Sequence, residues 1–488
     1  MILYTLTAAA WMAGPAVEVD PRLLRKRNEP APVLVVLRDQ PDVRGIRAVA
    51  HGDARLTAVV GTLRDHAEQA QASLVTELDN RGIAYKRFWA INAIALRADG
   101  ATIDWLRQRP EIAELAWDGP SKRVADAADE LGDTRPKAVE QGLTLIGAPT
   151  VWAQGFRGQG VLVAGQDTGY LWTHPALQGK YAGWDGTTAD HNYHWHDAIT
   201  NADPGNPCGS STSSPCDDDA LGQGHGTHTM GTMIGDDGGS NQIGVAPDAR
   251  WIGCRNMDEG NGTPSTYADC FQFFLAPTDL AGNNPDPLRA PHVINNSWGC
   301  PTSEGCIDPA VLQTLVENVK AAGILVVVSA GNSGTSGCGT VNTPAAIYEA
   351  SFSVGNTNSS DNMVASSSRG PVTVDGSNRI KPNVTAPGQS IRSSLRTGGY
   401  GFKTGTSMSG PHVAGAAALL MSADPSLKRD PERIEDLLEQ TAAPVNSTQT
   451  CGGIPTTTIP NPVFGHGRID VAAALTLLRQ SIFGNGFE

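Results

Sequence analysis

Ser407 stands in the run Gly405 to Gly415, G-T-S-M-S-G-P-H-V-A-G. Behind it, Val413 to Ala423 is a mostly apolar, alanine-rich stretch with the length of a buried helix. A hydroxyl at a helix N-terminus meets unpaired backbone N–H groups and the positive end of the helix dipole, and both favour negative charge developing nearby. That setting suits a nucleophile. It also suits a helix-capping serine, and the motif alone does not decide between the two. Pro411 reads as lying in the first turn, where its missing N–H costs nothing.

A serine hydroxyl is a weak nucleophile until a base takes its proton and a third group orients that base. Val161 to Gly169, V-L-V-A-G-Q-D-T-G, reads as a short apolar strand ending in Asp167. The end of a buried parallel strand is where an α/β enzyme holds a catalytic group, although an Asx turn closes ordinary strands in the same way. Gly224 to Gly235, G-H-G-T-H-T-M-G-T-M-I-G, places His225 and His228 three residues apart. That spacing also fits a metal pair on one helical face. No acidic residue stands within the motif, and the glycines flanking His225 let a bulky partner approach it. His225 therefore reads as a base and His228 as its structural neighbour.

Asp167, His225 and Ser407, in that order and each inside its own motif, resemble the subtilisin-like serine proteases (subtilases). The resemblance implies a triad of these three residues. It also implies a subtilisin-like three-layer α/β domain with a mostly parallel sheet. A further segment, Gly323 to Gly334, G-I-L-V-V-V-S-A-G-N-S-G, opens as a strand covered on both faces and ends in Asn332. A carboxamide there can donate to the oxyanion of a tetrahedral intermediate, and by resemblance Asn332 is the oxyanion-hole residue; a strand-terminating turn is the alternative. In H-V-I-N-N-S-W-G, Ser297, Trp298 and Gly299 match the edge to which a subtilase substrate adds as an extra strand, with Trp298 open to being plain core. Two residues depart from the family pattern: Gln166 stands where an aliphatic residue is usual and Ser409 where alanine is commoner. The chemistry requires no cofactor. Subtilases commonly bind structural calcium, and Asp236 and Asp237 are candidate ligands here, equally readable as a short acidic turn.

Composition narrows the partners. Residues 1–140 hold 19 Lys and Arg against 20 Asp and Glu, leaving 17 against 30 of the chain's 36 and 50 for residues 141–488. The part with the catalytic motifs is therefore the acidic one, which argues against nucleic acid and fits a secreted enzyme; a monomer acting on proteins or peptides is what the resemblance implies. No apolar stretch of about 18 residues suggests a membrane span. All eight cysteines lie in the acidic part, which points to disulfides and an extracellular or periplasmic compartment. The simplest pairing is 208–216, 254–270 and 300–306, with 338–451 as a long-range bridge.

The motifs need elements to carry them. Residues 1–30 read as an N-terminal segment resembling a signal peptide without its basic start. Residues 31–120 form a separate unit. Its strand from Val33, helix over Asp53 to Asp79, strand pair Ile83 to Trp89 and Ile91 to Arg97, short helix near Ile103 and last strand Ile112 to Trp117 give a ferredoxin-like β-α-β-β-α-β order. This resembles a subtilase propeptide, which assists folding and inhibits its own enzyme; a permanent substrate-recruiting domain is the alternative. Residues 121–140 suit a linker containing the maturation cut, 141–480 the catalytic domain and 481–488 a tail. The stretch Gly179 to Gly222, with His191, His194, His196, Asp197 and Asp217 to Asp219, reads as a surface lid in preference to a metal site. Two other functions compete with an endopeptidase: a catalytically silent binding protein on the same scaffold, and an esterase using the same triad.

Overall fold

The computed structural model describes residues 16–25, 29–119, 121–122, 139–299 and 308–484. The expected signal segment, maturation linker, terminal tail and 300–306 disulfide lie wholly or largely outside the described residues.

The N-terminal unit runs β1 (Glu18–Val19), α1 (Pro21–Arg25), β2 (Ala31–Leu37), α2 (Gly52–Asn80), β3 (Tyr85–Phe88), β4 (Ala93–Ala98), α3 (Gly100–Leu106) and β5 (Ile112–Trp117). Its sheet has the order β1-β5-β2-β4-β3, antiparallel except for the β1–β5 edge. The expected β-α-β-β-α-β pattern is therefore present, with β1 added as an unforeseen fifth strand. The apolar positions of α2 recur at helical spacing and serve two cores. Leu74 and Leu78 pack with Val33, Val35 and Ile94 inside the unit. Leu56, Val59 and Leu63 join the same cluster as Phe271, Phe274 and Leu315 of the larger domain.

After β6 (Ser121–Lys122) come α4 (Gln141–Leu145), α5 (Ala148–Trp152), β7 (Leu162–Asp167), β8 (Trp195–Asp197), α6 (His225–Ile234), β9 (Arg250–Arg255), β10 (Met257–Asp258), β11 (Asn261–Gly262) and α7 (Pro264–Leu275). The chain continues through β12 (Val293–Asn296), α8 (Gln313–Ala321), β13 (Leu325–Ser329), β14 (Phe352–Thr357), β15 (Val384–Pro387), β16 (Ile391–Ser394), β17 (Tyr400–Lys403), α9 (Thr406–Ala423), α10 (Pro431–Gln440) and α11 (Val471–Gly484). Seven strands form one sheet in the order β15-β14-β13-β12-β7-β9-β8, every pairing parallel. Such a sheet must be covered on both faces, and side-chain alternation divides the work. Val163, Val293, Leu325 and Val327 point to the face packed by α9. Ala164, Ile294, Val326 and Val328 point to the face packed by α7 and α8. α9 is buried all round, and a Cβ on its Gly415 would come within 2.5 Å of Val245 Cβ, so glycine lets the helix lie close to its neighbour.

Helix ends dock the N-terminal unit onto this domain. Arg55, buried in α2, donates to the carbonyls of Ala321 (2.7 Å), Lys320 (2.9 Å) and Arg429 (3.2 Å), placing a cation at the C-terminus of α8. Asp118 accepts from the N–H of Ser265 at 2.8 Å, placing a carboxyl at the start of α7. Asn318 and Gln272 complete the contact through the main chain of residues 89 and 90.

Candidate active site

The motif residues gather at the C-terminal edge of the sheet. Asp167 is the last residue of β7, His225 the first of α6 and Ser407 the second of α9, and α6 packs directly against α9. His225 Nδ1 lies 2.7 Å from Asp167 Oδ1. A carboxylate at that distance fixes Nδ1 as the protonated ring nitrogen and leaves Nε2 as the basic one. Asp167 Oδ1 also accepts from the N–H of Thr168 (2.8 Å), and Oδ2 lies 3.4 Å from the Thr229 hydroxyl. A Cβ on Gly226 would meet the carbonyl oxygen of Gly169 at 2.1 Å, so the chain can bring α6 this close to the end of β7 only with glycine there.

Ser407 Oγ is buried and has no hydrogen-bond partner among the described residues. Its helix begins at Thr406, earlier than the composition suggests, because the whole G-T-S-M-S-G run is buried and packed. Pro411 is consequently inside the helix, where it lacks the N–H that would bond the carbonyl of Ser407. The expectation that it sits in the first turn is corrected. The orphaned carbonyl accepts from the hydroxyl of Ser297 at 3.0 Å instead.

Asn332 follows β13, and its Oδ1 accepts both the N–H and the hydroxyl of Thr406 at 2.9 Å each. With the carboxamide oxygen held this way, Nδ2 is the end turned away from Thr406. Ser297 to Gly299 continue directly from β12, beside Ser407. The Trp298 ring is fully buried and stacks on Tyr267 with centroids 3.7 Å apart, so its side chain is core and its main chain is what can meet a substrate. Gln166 is satisfied beneath the site, donating to Asn296 (2.7 Å) and accepting from Asn256 (2.9 Å). His228 reaches the carbonyl of Ile391 at 2.9 Å, and burial, aided by Lys403 and His225, holds it well below the usual histidine range. It is a neutral structural neighbour.

Most of the 179–222 stretch lies at the surface, as its reading as a lid expects, but its acidic end does not. Asp217, Asp218 and Asp219 are buried, and Arg255, itself fully buried, bonds Asp197 (2.7 Å) and Asp218 (3.2 Å). Its histidines turn to separate partners: His191 to Tyr181, His194 to the Asp190 carbonyl and His196 to Asp269. The calcium candidates do not fit a cation. Asp236 bonds Gly238 and lies 3.5 Å from Arg157, while both oxygens of Asp237 accept from Gly239, Asn241 and Tyr400. Among the described residues no group of three or more His, Cys, Asp or Glu is arranged to hold a metal. The disulfides 208–216, 254–270 and 338–451 are formed as expected. No helix among the described residues is long and apolar enough to cross a membrane.

Three threonines that the motifs alone do not single out also build the site. Thr168 follows Asp167, Thr227 lies two beyond His225 and Thr406 precedes Ser407, and each hydroxyl bonds within the site. Their recurrence beside all three motif residues was the available signal. The chain leaving the N-terminal unit also reaches this region. β6 pairs antiparallel with β11, completing a ribbon that begins just after Asn256, whose N–H donates to the Asp167 carbonyl at 3.1 Å.

Residues 158–467 match the model of the Subtilase family. The chain is 34% identical over 446 residues to bacillopeptidase F of Bacillus subtilis, covering 87% of this chain and 29% of that protein. It thus spans under a third of that longer relative. It is 31% identical over 363 residues to subtilisin E of Bacillus subtilis (74% of this chain, 78% of that one) and 32% identical over 314 residues to subtilisin of Bacillus pumilus (64% and 94%).

Proposed function

The chain belongs to the subtilase family of serine endopeptidases, and on that footing we propose that it is a secreted endopeptidase made as an inactive precursor. In this reading Ser407 attacks the peptide carbonyl. Nε2 of His225 takes the serine proton and later returns it to the leaving amine, while Asp167 orients the ring and stabilises its cation. Asn332 Nδ2 and the N–H of Ser407 face the developing oxyanion, acting from fixed positions in a site shielded from water. The observation that carries the reading is the 2.7 Å Asp167–His225 bond, at the end of β7 and the start of α6, with α6 packed against the serine's own helix.

Inhibition by residues 31–120 is supported by two facts. Ser407 and His225 are both 0% exposed in the full chain. The segment leaving the N-terminal unit is already paired as a strand on β11, the mode in which extended peptides bind sheet edges. Secretion is supported by the three disulfides, which persist in oxidising compartments. N-terminal sequencing of the expressed wild type and of Ser407→Ala tests the precursor reading. The wild type should be cut within residues 121–140 and then digest an unfolded protein, and Ser407→Ala should remain one inactive chain. Identical processing of both would refute self-cleavage.

A further inference from the structure

The segment between Cys216 and α6 carries three consecutive aspartates that the reaction above does not use. Charged runs ordinarily face water, yet Asp217 is 3% exposed and Asp218 is 0% exposed. Asp218 Oδ2 is held by Arg255 and by Asn206 Nδ2 (2.8 Å). Asp217 turns the other way, into the seam between β7 and α6. Its Oδ1 accepts from the hydroxyl of Thr168, the residue after Asp167, at 2.9 Å. Its Oδ2 accepts both the N–H (2.9 Å) and the hydroxyl (2.5 Å) of Thr227, two residues beyond His225.

We propose that Asp217 is a positioning residue: it ties the end of the Asp167 strand to the first turn of the His225 helix and thereby sets the carboxylate–imidazole geometry. The inference rests on the triad reading above.

Three features lead to it. First, Asp167 and His225 come from separate elements, so their bond is only as well defined as the seam between those elements. One side chain bonds both sides of that seam. Second, the N-terminus of α6 is held by that same segment and by the residue after Asp167. The N–H groups of His225, Gly226 and Thr227 donate in turn to Asp219 (3.0 Å), Thr168 (3.1 Å) and Asp217 (2.9 Å). The first turn of the helix is thus anchored to β7 and to the acidic segment before the helix proceeds. Third, the chemistry requires a carboxylate. Four donors, the N–H of Asp219 (3.2 Å) among them, converge on two oxygens, whereas an amide would present its NH2 to at least one of them. Keeping an anion here is costly, since burial pushes the Asp217 carboxyl up to about 6. Simple space-filling would not require that cost. The segment itself is fixed on either side: Cys216 is bonded to Cys208, and the N–H of Asp218 donates to the Thr168 carbonyl at 3.0 Å.

The test expresses the full chain as wild type, Asp217→Asn, Thr168→Val and the double variant, and assays each after processing within residues 121–140. A phosphonylating probe counts competent serines in each preparation, so that kcat is expressed per titrated site. The low-field proton NMR signal of the His225 Nδ1–H reports the bond to Asp167. Asp217→Asn should lower kcat per titrated site about 10–100-fold with KM within about twofold, and should move the low-field signal. Thr168→Val should act in the same direction and also removes the acceptor for the N–H of Gly226; the double variant should fall short of the product of the two single effects, because both cut the Thr168–Asp217 link. A merely structural aspartate would reduce the number of titrated sites and leave kcat per site and the proton signal in place. That result, or effects that multiply in the double variant, overturns the proposal. If Asp217→Asn yields no titratable protein, Thr168→Val alone decides, and a kcat per site equal to wild type rejects it. Absence of labelling in the processed wild type would instead reject the triad reading.

Discussion

The hydroxyl of Ser297 donates to the main-chain carbonyl of Ser407 at 3.0 Å, filling the place of the N–H that Pro411 lacks. The segment that follows β12, proposed to lie along a substrate, is in this way bonded to the residue proposed as nucleophile. Ser297→Ala leaves a buried carbonyl unpaired and should cost about 1–3 kcal/mol of stability. Pro411→Ala restores an N–H in the helix and should recover much of that loss in the double variant. Denaturant titration of the four proteins checks this; additive losses would show that the two residues do not share one carbonyl.

Thr406 orients the Asn332 carboxamide with two bonds of 2.9 Å. Thr406→Val removes one of them and should lower kcat about 5–10-fold, corresponding to about 1 kcal/mol, with KM little changed. Asn332→Ala removes the donor itself and should lower kcat about 10²–10³-fold, the loss known for subtilisin. Steady-state kinetics on one peptide substrate compares the two. Equal effects would mean that Thr406 has a role beyond orientation.

Docking of the N-terminal unit should weaken as pH rises. Burial pushes Asp118 up to about 6, and burial together with Asp308, Glu18 and Asp20 pushes Glu114 up to about 9. Both carboxyls return towards about 4 when the unit undocks into water. A pKa raised in the docked state means that docking takes up protons. The contribution is therefore complete below about pH 4 and is lost as pH climbs through 6 and then 9. Hydrogen exchange in the Ser407→Ala chain, corrected for intrinsic rates, should show β2 and β5 less protected at pH 8 than at pH 5. Equal protection at the two values would contradict this.

Arg255 holds the buried Asp197 and Asp218 together. Arg255→Met leaves both carboxyls without their cation and should destabilise the fold by about 3–5 kcal/mol. Urea unfolding followed by tryptophan fluorescence measures it. A loss below about 1 kcal/mol would show that water or another group can replace the guanidinium.

What could be read from the sequence was local in the chain. The apolar run ending in Asn332 and the α2 positions from Leu56 to Leu78 declare their elements by periodicity, and each catalytic candidate sits inside its own motif. What could not be read depended on distant partners. The G-T-S-M-S-G run has the composition of a turn, yet it opens α9, because burial against the sheet outweighs the local preference. Asp217 to Asp219 read as part of a surface lid because Arg255, Thr168 and Thr227 are brought to them only by the fold. Asp236 and Asp237 read equally as ligands or as a turn, and the hydrogen bonds of Asp237 to Asn241 and Tyr400 decide for the turn.

The central claim is that Ser407 is an activated nucleophile. Labelling with an active-site-directed phosphonylating reagent, followed by peptide mass mapping, tests it most directly. The account predicts one adduct, on Ser407, in the processed wild type and none in Ser407→Ala. A processed wild type that takes up no label, or a label that persists in Ser407→Ala, would contradict it.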